Sequence, residues 1–361
     1  MKRRRLPDEM GVIGIVVLVL LVFSMLSPNF RTMNNVQILL LNGAVIAFLA
    51  LGQTFVLLTG GIDLSTGSNV ALTGMLAALA MYHGVPWWGA TIIALVAGVL
   101  VGIFNGVMVH YAKLPPFIVT FSTFGIAASV PKILTGAQSV SVKDPYFALI
   151  GRSSLWEIPM PVVLLIIAAI VLTFVLRRTP MGVHIYAVGG NAETSRLAGI
   201  SISRVTLTVY GVSGLCAAVG GLITTSRLMV GYPVAGSGNE LFYSIASAVV
   251  GGVSLFGGIG TIPGALVGSI LIATVSNGMN VVGVESYWQP LVIGAIILAG
   301  VVLDTYRREA SIGQLFSKLA RRPAHGPPGG GSEGASPPAA ATAKTAAADE
   351  SAAAPEPTPN Q

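Results

Sequence analysis

Charge is what this chain has least of: 9% of its 361 residues are charged, 20 basic and 14 acidic, against roughly a quarter in an ordinary soluble domain. So few charges, many of them at the two ends, cannot supply the polar surface of a globular cytosolic fold. Cysteine is scarcer still. Cys216 stands alone in an apolar run, which excludes a disulfide framework and a thiolate metal cluster and reads as a small buried side chain. The histidines His83, His110, His184 and His325 are scattered without ligand spacing, so no metal site is expected. No lysine follows a glycine, so the phosphate-cradling loop that requires Gly-Lys is missing and this chain is not expected to hydrolyse ATP by that route. Carboxylates are nearly wanting in the apolar stretches, where each ionisable group costs about 2.5–3.5 kcal/mol. Asp63 lies close to the interior of one, while Glu240, Glu285 and Asp304 fall at segment ends. An ion-coupled symporter usually carries several such groups. The driving force is therefore expected to come from outside this subunit, with a self-sufficient facilitator or channel for neutral solutes as the alternative.

What the chain has instead is hydrophobic length. Hydrophobic residues make up 53% and mean hydropathy is +0.79. A helix crosses a bilayer in about 17–25 residues, and ten apolar stretches approach that length: 10–26, 36–59, 67–82, 88–110, 116–134, 159–176, 205–226, 241–257, 263–284 and 289–304. The expectation is an all-α polytopic membrane protein with about ten spans, or about eight if the Gly-flanked stretches 67–82 and 241–257 are broken or re-entrant. Cytoplasmic loops collect Lys and Arg. With both termini inside, only Arg31, Lys132, Lys143, Arg152 and Arg227 of the basic residues fall outside. The first stretch follows Lys2, Arg3, Arg4 and Arg5 as a secretory signal would, but no small-residue cleavage pattern follows it, so it reads as an uncleaved span. The expected organisation is a basic cytoplasmic segment at 1–9, a transmembrane domain at 10–306 with a cytoplasmic loop at 177–204, and a cytoplasmic tail at 307–361. From about 323 that tail is Pro, Gly, Ala, Ser and Thr, a composition that cannot offset the entropy of ordering, and is expected to be disordered.

Two glycine-rich interruptions overlay on one another: Gly60-Gly61-Ile62-Asp63-Leu64-Ser65-Thr66-Gly67 and Gly251-Gly252-Val253-Ser254-Leu255-Phe256-Gly257-Gly258. Glycine costs a helix up to about 1 kcal/mol, and matching breaks in two halves of a transporter point to its translocation pathway. Such glycines can also serve only to let helices pack closely. At the first break Asp63, Ser65 and Ser68 add polarity that packing alone does not require. Asn69, Thr120, Ser254, Asn277 and Asn280, with Phe117 and Phe121 nearby, complete a candidate substrate pathway of neutral hydrogen-bonding groups beside aromatic faces, suited to an uncharged polyhydroxy compound. The longest polar inner segment, 177–200, reads as two short amphipathic pieces hinged at Gly189-Gly190. Asn191 caps the second piece, Glu193 sits in its first turn and Gly199 closes it. Such an element is shaped either to be gripped by another protein or to lie on lipid headgroups.

The phrases GGIDLSTGS (60–68), PPFIVTFSTFGIA (115–127), MGVHIYAVGGNAETSRLAGI (181–200) and GGVSLFGGIGTIPGALVGSILIATVSNGMNVVGVESYWQ (251–289) resemble the ribose/xylose-type permeases of ATP-binding-cassette sugar importers. The similarity runs from about residue 10 to 306, and the joint occurrence of GGIDLS with YAVGGN is its specific part. Where relatives often carry an arginine in the Gly-Gly-x-Gly piece, this chain has Ile259. The resemblance implies an inner-membrane subunit, without a cofactor of its own, that works with a cytoplasmic ATP-binding subunit using ATP and Mg, an extracytoplasmic sugar-binding protein and a second permease copy or relative. Membrane lipid surrounds it and no nucleic acid is involved. It also implies that 181–200 docks on the ATPase, engaging Gly182, Tyr186, Gly189, Gly190, Asn191, Glu193, Arg196 and Gly199. On the outer side, Arg227 and Glu240 are candidates for contact with the binding protein.

Overall fold

The computed structural model describes residues 9–320, Ser237 excepted. The basic residues at 2–5 and the expected disorder from 323 lie outside them. The described residues are helical almost throughout. The first five helices are α1 (Glu9–Leu26), α2 (Met33–Leu58), α3 (Thr66–Tyr82), α4 (Trp87–His110) and α5 (Pro116–Thr135). After the short α6 (Ala148–Arg152) come α7 (Met160–Arg178), α8 (Pro180–Gly190), α9 (Ala192–Leu197) and α10 (Ile202–Leu228). The last are α11 (Glu240–Val250), α12 (Ile262–Val281) and α13 (Trp288–Ala320); the compact unit ends at Ile312. Four two-residue strands, β1 (Val140–Ser141), β2 (Ser154–Leu155), β3 (Ile158–Pro159) and β4 (Val230–Gly231), form two antiparallel pairs, β1 with β4 and β2 with β3.

Each of the ten apolar stretches contains a helix, but they are not ten equal spans. Among the described residues, seven helices are long and apolar enough to cross a membrane: α2, α4, α5, α7, α10, α12 and Trp288–Tyr306 of α13. The apolar part of α1 is Gly11–Leu26, and α3 has 17 residues. The stretch 241–257 is not a continuous helix. Its helical part, α11, has 11 residues and stops at Val250, where Gly252, Gly257, Gly258 and Gly260 take positive φ angles of 87°, 84°, 76° and 149°. These are conformations that side chains resist and a helix cannot use.

The approach to α11 is not helical: β4 leads into a turn in which the Ala235 N–H bonds to the Tyr232 carbonyl at 3.0 Å. Gly231 lies against Met75 and Ala78 of α3, whereas Gly236 lies against Gly67 and Val70 of the same helix. From Ala78 to Gly67 is eleven residues of helix, about 16 Å. Between Gly231 and Gly236 the chain therefore descends along α3 for up to about half the thickness of a hydrocarbon core of about 30 Å before α11 begins.

At the centre stands α10, packed against α2, α3 and α4 through small residues. A Cβ added at Gly98 would lie 2.6 Å from the Gly214 carbonyl and from the Ala218 side chain, one at Gly102 would overlap the Tyr210 carbonyl, and one at Gly52 would lie 2.9 Å from the Ser213 Cα. Lipid tails are as apolar as leucine, so helices in a membrane gain by close backbone approach rather than by burying oil. Gly102→Ala should lower the thermal stability of the detergent-purified protein by about 1–3 kcal/mol through overpacking. Gly125→Ala, where a Cβ meets nothing within 4 Å, should not. Equal melting temperatures for the two variants would contradict this packing.

Candidate functional site

The first break is a turn built around one carboxylate. α2 ends at Leu58, and Gly60, at φ +77°, turns the chain while its N–H bonds to the Leu57 carbonyl at 2.8 Å. Asp63 then organises the return. Its Oδ1 accepts the Ser65 N–H at 2.9 Å and the Ser65 hydroxyl at 2.6 Å, the Asx-turn arrangement that an Asp-x-Ser spacing favours. Its Oδ2 accepts the Ser213 hydroxyl of α10 at 2.7 Å. Ser65 Oγ in turn accepts Asn105 Nδ2 of α4 at 2.9 Å, and Asn105 Oδ1 accepts the Thr123 hydroxyl of α5 at 2.7 Å. Thr120 donates to the Ile62 carbonyl at 3.2 Å, and Ser68 to the Ser65 carbonyl at 3.0 Å. One buried chain of hydrogen bonds thus ties the break to three neighbouring helices.

The second break uses the same chemistry with the partners exchanged. Ser254 stands at the position that Asp63 holds in the first, and the carboxylate comes from elsewhere: Asp304 Oδ2 of α13 accepts the Ser254 hydroxyl at 2.9 Å and the Leu255 N–H at 3.3 Å. The Ser254 N–H closes the loop on the Ile259 carbonyl at 2.9 Å. Asp304 was passed over in the sequence because it lies at a segment end, and fifty residues of chain hide its pairing with Ser254. Ser213 carries no sequence signal either, because 150 residues of chain separate it from Asp63.

The two breaks meet. The Gly258 N–H donates to the Leu58 carbonyl at 2.9 Å, and Gly257 is so close that a Cβ there would lie 2.9 Å from the Gly60 nitrogen. Into this junction fits α8. A Cβ on Gly189 would overlap the Leu58 carbonyl and lie 2.6 Å from the Gly258 nitrogen. The Tyr186 hydroxyl donates to the Gly260 carbonyl at 2.8 Å, while burial pushes that phenol above its ordinary pKa against the opposing charge of Arg177. Gly182 turns under α7, where a Cβ would overlap the Leu176 carbonyl.

The expected hinge at Gly189-Gly190 is corrected by this geometry. Both glycines belong to the last turn of α8, and the direction changes at Asn191, extended at φ −162°. Gly189 serves contact, whereas Gly190 has nothing within 4 Å of a Cβ. The first of the two pieces is also packed inward: Ile185 and Val188 of α8 are buried against the bundle. The capping expected of α9 is present. Asn191 Oδ1 accepts the Thr194 N–H at 2.8 Å and Gly199 leaves the helix at φ +81°. Glu193 and Arg196 form an exposed pair at 2.6 Å, and the guanidinium hydrogen bond, then its charge, holds the Glu193 carboxyl below its usual range.

The remaining candidates do not gather in one place. Asn69 is buried beside Gly98, its Nδ2 3.5 Å from that carbonyl. Phe117 and Phe121 stand on the exposed face of α5, stacked at 5.9 Å with Phe124 next in the ladder. Asn277 and Asn280 belong to the opposite end of the bundle. Asn277 donates to Asn35 at 3.0 Å, and Asn280 accepts Gln289, which also binds Tyr243. Asn35 precedes Leu58 by 23 residues of α2, about 35 Å. Arg227, also at that end of α10, donates to Asn42 of α2 at 2.6 Å. Glu240 is not on an outer loop: it opens α11, next to Leu241, whose Cβ would lie 3.5 Å from a Cβ on Gly67. Among the described residues its Oε2 has no hydrogen-bond partner.

Apolar helices interrupted at a common junction, with a short helix bedded on both breaks, are the kind of pattern that points to a membrane transporter. The chain belongs to the family described as branched-chain amino acid transport system / permease component, which residues 35–301 match. It is a multi-pass inner-membrane protein. It is 37% identical over 299 residues to the D-allose transport system permease protein AlsC of Escherichia coli strain K12, covering 82% of this chain and 91% of the relative. It is 38% identical over 294 residues to the ribose import permease protein RbsC of Bacillus subtilis strain 168, covering 81% and 91%. To the L-arabinose ABC transporter permease protein AraH of Azospirillum brasilense it is 35% identical over 304 residues, covering 82% and 88%. No solved structure matches the chain.

Ser213→Ala leaves the inner oxygen of Asp63 without its partner in a buried site. The expected loss is about 1.5–3 kcal/mol of stability, the usual worth of a hydrogen bond to a charged group, read as a lower melting temperature of the purified protein. An unchanged melting temperature would remove Asp63 from the centre of the first break.

Proposed function

We propose that this chain is the transmembrane permease subunit of an ATP-binding-cassette importer that moves a pentose- or hexose-like sugar by alternating access. A separate cytoplasmic ATPase subunit supplies the power, and an extracytoplasmic binding protein delivers the sugar. One observation carries this reading: α8 lies backbone to backbone on both glycine breaks, so a displacement of α8 is a displacement of the junction. The relatives named for allose, ribose and arabinose support the substrate class.

In this reading the α8 end faces the cytoplasm, in keeping with Arg177, Arg178, Arg196 and Arg204 around it. The ATPase grips α8 and α9 from their open side, where Val183 and Leu197 are 66% and 77% exposed beside the Glu193–Arg196 pair. Tyr186 and Gly189 pass the movement inward, and Gly182 and Asn191 fix where the segment turns. Asp63, Ser65, Ser68, Asn69, Thr120 and Ser254 give the breaks their shape rather than an open lining. The sugar's path follows the exposed α5 face of Phe117 and Phe121, against a second permease copy or a relative. The binding protein docks at the opposite end, near Arg227 and the hairpin tip where Trp156 is 92% exposed.

Gly189→Ala should uncouple ATP hydrolysis from sugar uptake in vesicles reconstituted with the partner subunits, and Gly190→Ala should transport normally. Equal transport by both variants would break the link between α8 and the junction. Mild-detergent purification from native membranes should recover an ATP-binding subunit. Recovery of the chain alone, together with ATP-independent sugar equilibration by vesicles containing only it, would establish a facilitator instead.

A further inference from the structure

A groove of about 690 Å³ runs between α2, α7 and α12, within the range of about 300–1,000 Å³ typical of ligand sites. Its floor is made of small side chains. Ala44, Ala47 and Ala273 line it, and Gly43 approaches so closely that a Cβ there would lie 3.3 Å from the Ala273 Cβ. Its rim is bulky: Ile166, Ile170 and Phe174 of α7 are 50%, 65% and 60% exposed. All three helices are of membrane-spanning length, so the groove opens where lipid, not water, is the solvent.

One end of the groove is polar. Arg177 and Arg178, in the last turn of α7, line it there. The ion pair found among the described residues joins Arg196 to Glu193, so neither groove arginine has a carboxylate partner among them. From Ile166 to Arg177 is eleven residues, about 16 Å of helix, or about one leaflet of a hydrocarbon core of about 30 Å. A ligand that fits this outline has one long apolar chain and an anionic head at the level of the membrane surface.

We propose that the α2–α7–α12 groove is a binding site for an anionic phospholipid, with an acyl chain laid along its floor and the phosphate held by Arg177 and Arg178. Guanidinium groups hold phosphate oxygens bidentately, and basic pockets between transmembrane helices suit lipid head groups. The site lies next to the coupling element. Thr179 ends α7 and caps α8 by accepting the Gly182 N–H at 3.4 Å, and the charge of Arg177 acts on Tyr186, whose hydroxyl is bonded to the second break. A phosphate on the two arginines fixes the corner from which α8 departs. This last consequence rests on the coupling role given to α8 above; the lipid site itself does not.

The test is native mass spectrometry of the purified full-length chain titrated with phosphatidylglycerol and with phosphatidylcholine. The wild type should retain phosphatidylglycerol about tenfold or more in preference, as expected when each arginine near the surface adds about a factor of several. Arg177→Gln with Arg178→Gln should erase the preference, and the double lysine variant should keep part of it. Thr173→Trp fills the groove without touching either arginine and should weaken retention of both lipids. Monodispersity and melting temperature of each variant separate loss of lipid from loss of fold. Equal retention of the two lipids by the wild type, or an unchanged preference in the double glutamine variant, would overturn the site. So would an intermolecular crosslink between Ile170→Cys chains, which would make the groove an interface between copies. These readouts do not involve sugar or ATP, so failure of the importer reading leaves them intact.

Discussion

Everything at the α8 end of this protein depends on one backbone hydrogen bond, from the Gly258 N–H to the Leu58 carbonyl at 2.9 Å. In a bilayer an irregular backbone must find its partners within the protein, because lipid offers none. Ending α2 at Leu58 leaves carbonyls without the next helical turn, and ending α11 at Val250 opens a loop whose N–H groups must find acceptors outside a regular helix. Bringing the two interruptions together lets one supply donors to the other. It also requires that nothing stand between them, which is why the residues at the meeting point are Gly60, Gly257 and Gly258, and why the helix laid over them presents Gly189.

The breaks are held open by electrostatics as well as by glycine. In each, a carboxylate and a serine hydroxyl bridge the loop to a neighbouring long helix: Asp63 to Ser213 on α10, and Ser254 to Asp304 on α13. The roles are exchanged, the acid lying in the loop in one case and on the helix in the other. A buried carboxyl group inside a membrane is tolerated only when donors converge on it. Asp63 has three and Asp304 two. Both acids are thereby committed to shape, which leaves them poorly placed to carry a coupling ion.

How much of this could be read from the sequence follows from the range of each interaction. The helices were legible because hydropathy is a local property, and so were the two breaks, whose glycines and Asp-x-Ser spacing lie within ten residues. The caps of α9 were legible for the same reason. What the sequence hid was long-range. Ser213 and Asp304 are one serine and one aspartate in apolar helices until the fold sets them 2.7 and 2.9 Å from their partners. The half-length α11 was legible in part: the glycines at the end of 241–257 mark it as a candidate broken or re-entrant element, but only the path of the chain along α3 between Gly231 and Gly236 shows that half the distance has already been covered. The polar candidates could not be sorted by position, because hydrogen-bonding capacity does not say which end of a helix bundle a residue occupies. Asn277 and Asn280 clamp one end while Asp63 holds the other.

The position of α8 finally explains why the segment is a helix rather than a loop. A loop in contact with a partner would absorb displacement by rotating its own dihedrals, at a cost of little more than thermal energy. An eleven-residue helix with Ile185 and Val188 buried, Tyr186 bonded to Gly260 and Gly189 seated on Leu58 cannot do so. Packed interiors resist compression and respond by moving as units. Under the proposed coupling, a force on the open side of α8 and α9 would reach both breaks together. Those breaks are where the long helices lack continuous hydrogen bonding, and a bundle bends most readily where its helices are already interrupted.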